Sequence, residues 1–250
     1  MMQKTFQEHL FNVEGSNGWS IGKLNSVDLN IFREIVFGQF FAVIKKAELD
    51  SGKTLNVIED YHKEITNAEH KNLWPKQQRI LTKQRVETLL SKTKFFMKLR
   101  EEVGELIITD EEKSGFPEIY FRVVRPEPHT DYGPIHADRW FWDLGHGKMP
   151  ENRELKRLKF WFSLVGDGEQ TGFTFISGSH LQNHQYASEY RDGMIKPTFD
   201  AAKYQTQIET LKGKPGTFII FNDDLLHGGC ATKAKTRLSC EFTLLYQDKR

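Results

Sequence analysis

At 250 residues the chain has room for one large β-rich domain with helical additions or for two small domains, and no linker-like stretch divides it. Its 35 Lys and Arg against 34 Asp and Glu give a charge of +1 with no block of like sign, which excludes nucleic acid and anionic membranes as partners. The longest apolar run, Ile35 to Ile44, is broken by Gly38 and Gln39 and falls far short of the roughly 20 residues that cross a bilayer.

Met1 to Phe11 alternates charged and apolar residues without the continuous apolar stretch of a secretory signal, so a cytoplasmic location is expected. Cys230 and Cys240 are then expected as free thiols. From Val27 to Lys46, Leu29, Phe32, Ile35, Val36, Phe40, Val43 and Ile44 recur at helical spacing behind a capping Ser26. A second helix is predicted over Leu55 to Ile65 and a third over Lys76 to Val103, stopped by Gly104. Residues 1–115 hold no ligand cluster and read as mainly helical support.

After Pro117 the pattern changes. Glu118 to Val124 is strand-like, and a loop rich in Pro, His and Gly follows it to Ile135. Leu158 to Val165 alternates, with Leu158, Phe160, Phe162 and Leu164 on one face and Lys159, Trp161 and Ser163 on the other. Gly172 to Ile176, Thr217 to Phe221 and Leu238 to Tyr246 are further short strands bounded by turns. Such spacing, without intervening helices, predicts a mainly β fold with N-terminal helices, an antiparallel jelly roll over residues 116–250, within one domain spanning 1–250.

His136 and Asp138 are one residue apart, so in an extended segment their side chains point the same way. Two imidazoles and one carboxylate on one face of a metal are the ligand set of a mononuclear iron(II) oxygenase. His227, a short turn after the strand Thr217 to Phe221, is the best third ligand, with Gly228 and Gly229 leaving room beside the metal. Ten residues on, Arg237 heads a strand whose polar face is Arg237, Ser239, Glu241 and Thr243. Its planar pair of donors suits a carboxylate, here the far end of 2-oxoglutarate.

These segments resemble the phytanoyl-CoA dioxygenase family of iron(II)- and 2-oxoglutarate-dependent oxygenases over Ile119 to Tyr246. The likeness is carried by Pro134 to Asp138, by Thr171 to His180 with Thr171 for Asn and Ser177 for Pro, by Pro215 to Phe221, and by Leu225 to His227 and Arg237. The resemblance implies a double-stranded β-helix, iron(II), 2-oxoglutarate and dioxygen as co-substrates, and succinate and carbon dioxide as co-products. It also implies that Trp142 lines the 2-oxoglutarate pocket and Ser239 assists Arg237; read from the sequence alone, Trp142 is equally a core aromatic in the run Trp140, Phe141, Trp142. Related halogenases replace the carboxylate with a small residue, so Asp138 argues for hydroxylation, desaturation or ring closure. No catalytic group beyond the iron ligands is expected.

The prime substrate reads only as a small molecule. Arg122 and Arg125 lie before the motif, though their spacing lets only one face inward, and Arg139 and Trp140 directly follow it; these are the substrate-contact candidates. The basic run Arg153, Lys156, Arg157 and Lys159 reads as a solvated face that could meet an anionic substrate, and His129, His146, His180 and His184 as loop or supporting residues. The alternative function is a catalytically silent jelly-roll protein that binds a small molecule without oxidising it.

Overall fold

The computed structural model describes residues 4–51, 55, 57–147, 149–150, 154–168, 170–191 and 193–247. In chain order these form helix α1 (Phe6–Glu14), strand β1 (Trp19–Lys23), the long helix α2 (Ser26–Ser51), α3 (Tyr61–Glu64), α4 (Asn67–Leu73), α5 (Lys83–Lys92) and α6 (Lys94–Val103). Then follow β2 (Ile107–Ile108), β3 (Tyr120–Val124), α7 (Asp138–Asp143), β4 (Lys156–Val165), β5 (Gln170–Phe175), β6 (Ala187–Arg191), β7 (Met194–Thr198), β8 (Glu209–Lys212), β9 (Thr217–Asn222), β10 (His227–Gly229) and β11 (Arg237–Tyr246).

Among the described residues, β1, β9, β4, β11 and β2 lie in that order in one antiparallel sheet, with β3 also paired to β11. A second sheet has the order β10, β5, β8, and β6 pairs with β7 as a separate hairpin. The alternation along β4 places its two faces in different cores. Leu158, Phe160, Phe162 and Leu164 join Phe218 and Ile220 of β9 and Leu238, Cys240, Phe242 and Leu244 of β11 against the helices. There Phe32 of α2 packs 5.0 Å from Phe162, and Phe96 of α6 packs 5.3 Å from Phe242, centroid to centroid. Each buried Phe of this kind contributes about 1.5–3 kcal/mol. On the opposite face Trp161, Ile219 and Phe221 meet Phe173, Phe175 and Leu211 of the smaller sheet. The large sheet is thus covered on both sides: by helices outside, and inside by the second sheet of a double-stranded β-helix.

The helical half departs from its periodicity. Lys76 to Val103 is a 3-10 turn, Lys76–Arg79, and two helices broken at Thr93, which is extended at φ −94° and ψ 136°. Buried Asp28 accepts the first amides of α6, from Lys94 (2.8 Å) and Phe95 (2.9 Å), and fixes the break that the apolar pattern runs through. Leu55 to Ile65 shortens to a 3-10 turn at Ile58–Asp60 and the single turn of α3. Gly104 does end α6, at φ 83°. The cap of α2 belongs to Asn25, whose Oδ1 accepts the Asp28 amide at 2.8 Å, one residue before the expected Ser26. Among the described residues no helix is long and apolar enough to cross a membrane. Both cysteines are free, and Cys240 is a core residue.

Two buried histidines tie α1 and α4 into the fold. His9 Nδ1 meets Ser20 Oγ at 2.9 Å, and His70 Nδ1 meets Tyr61 Oη at 3.0 Å. Burial pushes both imidazoles down to about 4. The unfolded chain therefore binds these protons first, so the stability they allow is complete above pH ~6.5 and is lost as pH falls towards 4. A melting curve followed across this window is expected to lose up to ~1.4 kcal/mol per pH unit per histidine, and His9→Gln to flatten the slope. A melting temperature level from pH 6.5 to 4 would contradict the assignment.

Candidate functional site

His136 and His227 form an isolated antiparallel bridge in which each amide donates to the other's carbonyl at 2.8 Å. Their rings consequently stand side by side, centroids 4.5 Å apart. Asp138 does not continue the extended run that the H-x-D spacing suggests. Ala137 is extended, but Asp138 is the first residue of α7. Convergence is achieved all the same: Asp138 Oδ1 lies 3.6 Å from His136 Nε2 and Oδ2 lies 3.4 Å from His227 Nε2. One atom from each of the three residues lies within 4.8 Å of the others.

The remaining ring nitrogens are occupied. His136 Nδ1 meets Pro134 O at 2.8 Å and His227 Nδ1 meets Leu225 O at 2.9 Å. A carbonyl only accepts, so both Nδ1 atoms carry hydrogen and both Nε2 atoms turn towards Asp138. Burial pushes the His227 imidazole down to about 4. Burial alone would raise the Asp138 carboxyl, but Lys159, then the two imidazoles, hold it well below the usual carboxylate range. Its Oδ2 is buried without a hydrogen-bond donor. Two imidazoles presenting Nε2 and an ionised carboxylate with an unsatisfied oxygen fit a divalent iron held on one face. Gly228 and Gly229 serve the incoming loop and not the metal: a Cβ would lie 3.0 Å from Pro134 O at the first and 2.8 Å from Tyr132 Cβ at the second.

Arg237, at the head of β11, is 2% exposed and lies opposite Val124 of β3. Its Nη1 donates to Ser239 Oγ at 3.2 Å, while Nε is buried with no acceptor. Among the described residues no carboxylate lies within ion-pair distance of it, and burial pushes its pKa down to about 10. Gly172, at φ +76°, makes the space; a Cβ there would stand 2.4 Å from Nε. A buried guanidinium without an acid fits the far carboxylate of 2-oxoglutarate. Ser239 sits behind Arg237 as a support and does not line the cavity.

Both groups open into a cavity of about 280 Å³. Helical geometry sorts the neighbours of Asp138. Phe141 and Trp142, three and four residues on, share its face and line the cavity; Arg139 and Trp140 do not. Arg139 instead pairs with Asp224 at 3.2 Å, and Trp140 stacks on Tyr186 in a separate core. Trp142 is held by Arg157, 4.7 Å above its ring, and Arg157 pairs with Asp223. Arg122 lines the cavity and donates from Nε to Glu241 at 2.7 Å. Arg125 is withdrawn from substrate contact, because Asp131 takes its Nε and Nη2 at 2.7 Å each.

The basic run is a solvated face only at Lys156 among its described residues. Arg153 lies outside the described residues, Lys156 pairs with Glu14, and Lys159 points into the cavity. Lys159 Nζ lies 3.6 Å from Asp138 Oδ2 and donates to Thr243 Oγ1 at 2.8 Å. Burial would lower its pKa, yet Asp138 and Glu111 raise it above the ordinary lysine value. The signal was available in the alternation of β4, where a lysine shares the inward face with Trp161. Lys76 and Arg79, from the helical half, also line the cavity. His146 lines it too, its Nε2 2.7 Å from Ile195 O.

Residues 42–237 match the sequence profile of the phytanoyl-CoA dioxygenase family. No curated protein matches the chain by sequence. Similar solved structures include EvdO2 from Micromonospora carbonacea var. aurantiaca complexed with 2-oxoglutarate, 13% identical over 98% of this chain and 94% of that one, with a TM-score of 0.58. EctD from S. alaskensis with bound iron is 16% identical over 96% of this chain and 76% of that one, TM-score 0.55. SnoK, a non-haem α-ketoglutarate-dependent carbocyclase from nogalamycin biosynthesis, is 14% identical over 99% and 88%, TM-score 0.52. At such identities the likeness is one of fold.

Metal titration tests the ligand set. The protein is expected to take up one ferrous ion per chain, and His227→Ala or Asp138→Ala to weaken uptake at least about tenfold, the scale at which even supporting groups of metal sites act. Full occupancy in both variants would exclude these ligands.

Proposed function

From the premise that this chain belongs to the phytanoyl-CoA dioxygenase family, and is an iron(II)- and 2-oxoglutarate-dependent oxygenase, we propose that it oxidises a carbon of a small-molecule metabolite by hydroxylation, desaturation or ring closure. Succinate and carbon dioxide are the co-products in this reading. The observation that carries it is the meeting in one cavity of two buried atoms of charged groups without hydrogen-bond partners, Asp138 Oδ2 and Arg237 Nε. An anion-requiring group and a cation-requiring group lining one cavity suit a metal together with a dicarboxylate.

In this assignment His136, Asp138 and His227 hold iron, and the carbonyls of Pro134 and Leu225 fix the orientation of the imidazoles. Arg237 binds the far carboxylate, held by Ser239 and given room by Gly172. Phe173 stacks on His227 at 5.6 Å and Phe221 packs at 4.5 Å, a wall that keeps water from one side of the ligand set. Bound there, iron with 2-oxoglutarate and dioxygen supplies the oxidising chemistry; the chain supplies ligand geometry and orientation. Asp138 retains a carboxylate where related halogenases have a small residue, which favours oxygenation over halogenation. The whole chain acts as one domain in the cytoplasm, residues 116–250 carrying the chemistry.

Anaerobic loading with iron(II) and 2-oxoglutarate, followed by oxygen, tests this by succinate release, expected from the wild type and absent in His136→Ala. Removing the charge-assisted bonds in Arg237→Ala is expected to weaken 2-oxoglutarate binding at least about tenfold with iron retained, and Gly172→Ala to act in the same direction. Equal loss of iron in Arg237→Ala would contradict its role.

A further inference from the structure

Among the described residues two arginine nitrogens are buried without an acceptor, Arg237 Nε and Arg79 Nε, and both side chains line the same cavity. Elsewhere the chain neutralises its buried arginines: Arg125 with Asp131 and Arg157 with Asp223. Arg237 has a role in the reading above; Arg79 has none. Among the described residues no hydrogen bond or ion pair holds its guanidinium, and the nearby Lys76 takes Glu112. Burial, and after it the nearby Arg122 cation, push the Arg79 pKa down to about 10. Glu241 faces both but bonds Arg122 alone, through Nε at 2.7 Å. The Arg122 side chain remains 45% exposed, open to the cavity. Two guanidiniums with one carboxylate between them leave a surplus positive charge on this wall.

The position of Arg79 is built from beneath. Gln39 of α2, 5% exposed, donates to the carbonyls of Gln78 (3.1 Å) and Ile80 (2.5 Å) and accepts the Thr82 amide (2.9 Å). Ile80 also bridges Tyr120, and Leu81 donates to Ile119 O at 2.9 Å. The backbone on both sides of Arg79 is therefore clamped, and so is the strand that carries Arg122. An ordered cation whose buried Nε has no acceptor costs stability unless something binds it.

Resting on the oxygenase reading, we propose that Arg79 and Arg122 are the recognition site for an oxyanion of the prime substrate, a carboxylate or a phosphate. The substrate is thus an anionic metabolite, seated with its charged end on this pair and the carbon to be oxidised towards His136, Asp138 and His227. Arg122 lies opposite Ser239 in register, two residues from Arg237, so the site adjoins the 2-oxoglutarate pocket while remaining distinct from it.

The test uses the full chain loaded with iron(II) and 2-oxoglutarate without oxygen, so that Arg237 is already occupied. Calorimetric titration with benzoate, phenyl phosphate and the neutral benzyl alcohol compares wild type, Arg79→Gln, Arg79→Lys and Arg122→Gln. At least one anion is expected to bind about tenfold or more tightly than benzyl alcohol, and to weaken about tenfold in Arg79→Gln, with Arg79→Lys retaining part of the affinity. The preferred anion tells carboxylate from phosphate. Iron and 2-oxoglutarate contents are expected to be unchanged; if Arg79→Gln does not fold, Arg122→Gln gives the same readout. Equal binding of all three probes, or undiminished anion binding in the glutamine variants, overturns the proposal alone. A wild type that takes up neither iron nor 2-oxoglutarate overturns the oxygenase reading and this proposal with it.

Discussion

The reciprocal backbone pair between His136 and His227 is the contact on which the site depends. It joins a loop to the three-residue strand β10, and its antiparallel geometry sends both imidazoles the same way from one point. A slip of one residue would present Ile135 or Gly228 in place of a ligand, so the register is also the specification of the metal site. The loop is anchored accordingly on either side. Upstream, Arg125 and Asp131 tie it beneath His70 and α4. Downstream, the Arg139 amide donates to Asp223 O at 3.1 Å, which sets the start of α7 and with it the position of Asp138.

Around that pair the protein tolerates an unusual amount of buried charge. The inward faces of β4 and β11 carry Lys159, Arg237 and Glu241, with Ser163, Ser239 and Thr243 between them, in a sheet whose other face is apolar. Replacing buried ionic groups by packed apolar ones is commonly neutral or stabilising, so these groups are poor candidates for stability devices. Their arrangement makes sense through what they hold. Lys159 links Asp138 to Thr243, and Thr243 donates to Glu111 at 2.8 Å, a chain that keeps the carboxylate ionised beneath the ligand set. The aromatic stacks of the outer core supply the stability against which this inner charge is set.

What was legible in the sequence follows from range. His136, Asp138, His227 and Arg237 stood out because each lies on or beside a strand whose alternation or turn could be read locally. The conformation at Asp138 was not legible, and two misplacements came from it: Arg139 and Trp140 are adjacent in sequence, but the helical turn starting at Asp138 rotates them away from the cavity and brings Trp142 back to it. Arg125 was unreadable for another reason, since its Asp131 partner is identified only once the loop is folded. The break at Thr93 depends on Asp28, far away in the chain, and the two- to four-residue strands β2, β8 and β10 are too short to carry a pattern. Arg79 belonged to a segment that periodicity assigned to a plain helix.

That segment changes how the two halves of the molecule divide their work. The helices shield the large sheet, but through Gln39 they also aim Arg79 into the cavity. Charge then argues for what the cavity accepts. A divalent iron, the carboxylate of Asp138, a doubly charged 2-oxoglutarate and Arg237 sum to neutrality, and Lys159 is offset by Glu111. Arg79 and Arg122 outweigh Glu241 by one positive charge. On the wall of a cavity of about 280 Å³ the part of that charge withdrawn from water is costly without a partner. In the proposed assignment a substrate carrying one negative charge would remove it, while a cationic substrate would add to it.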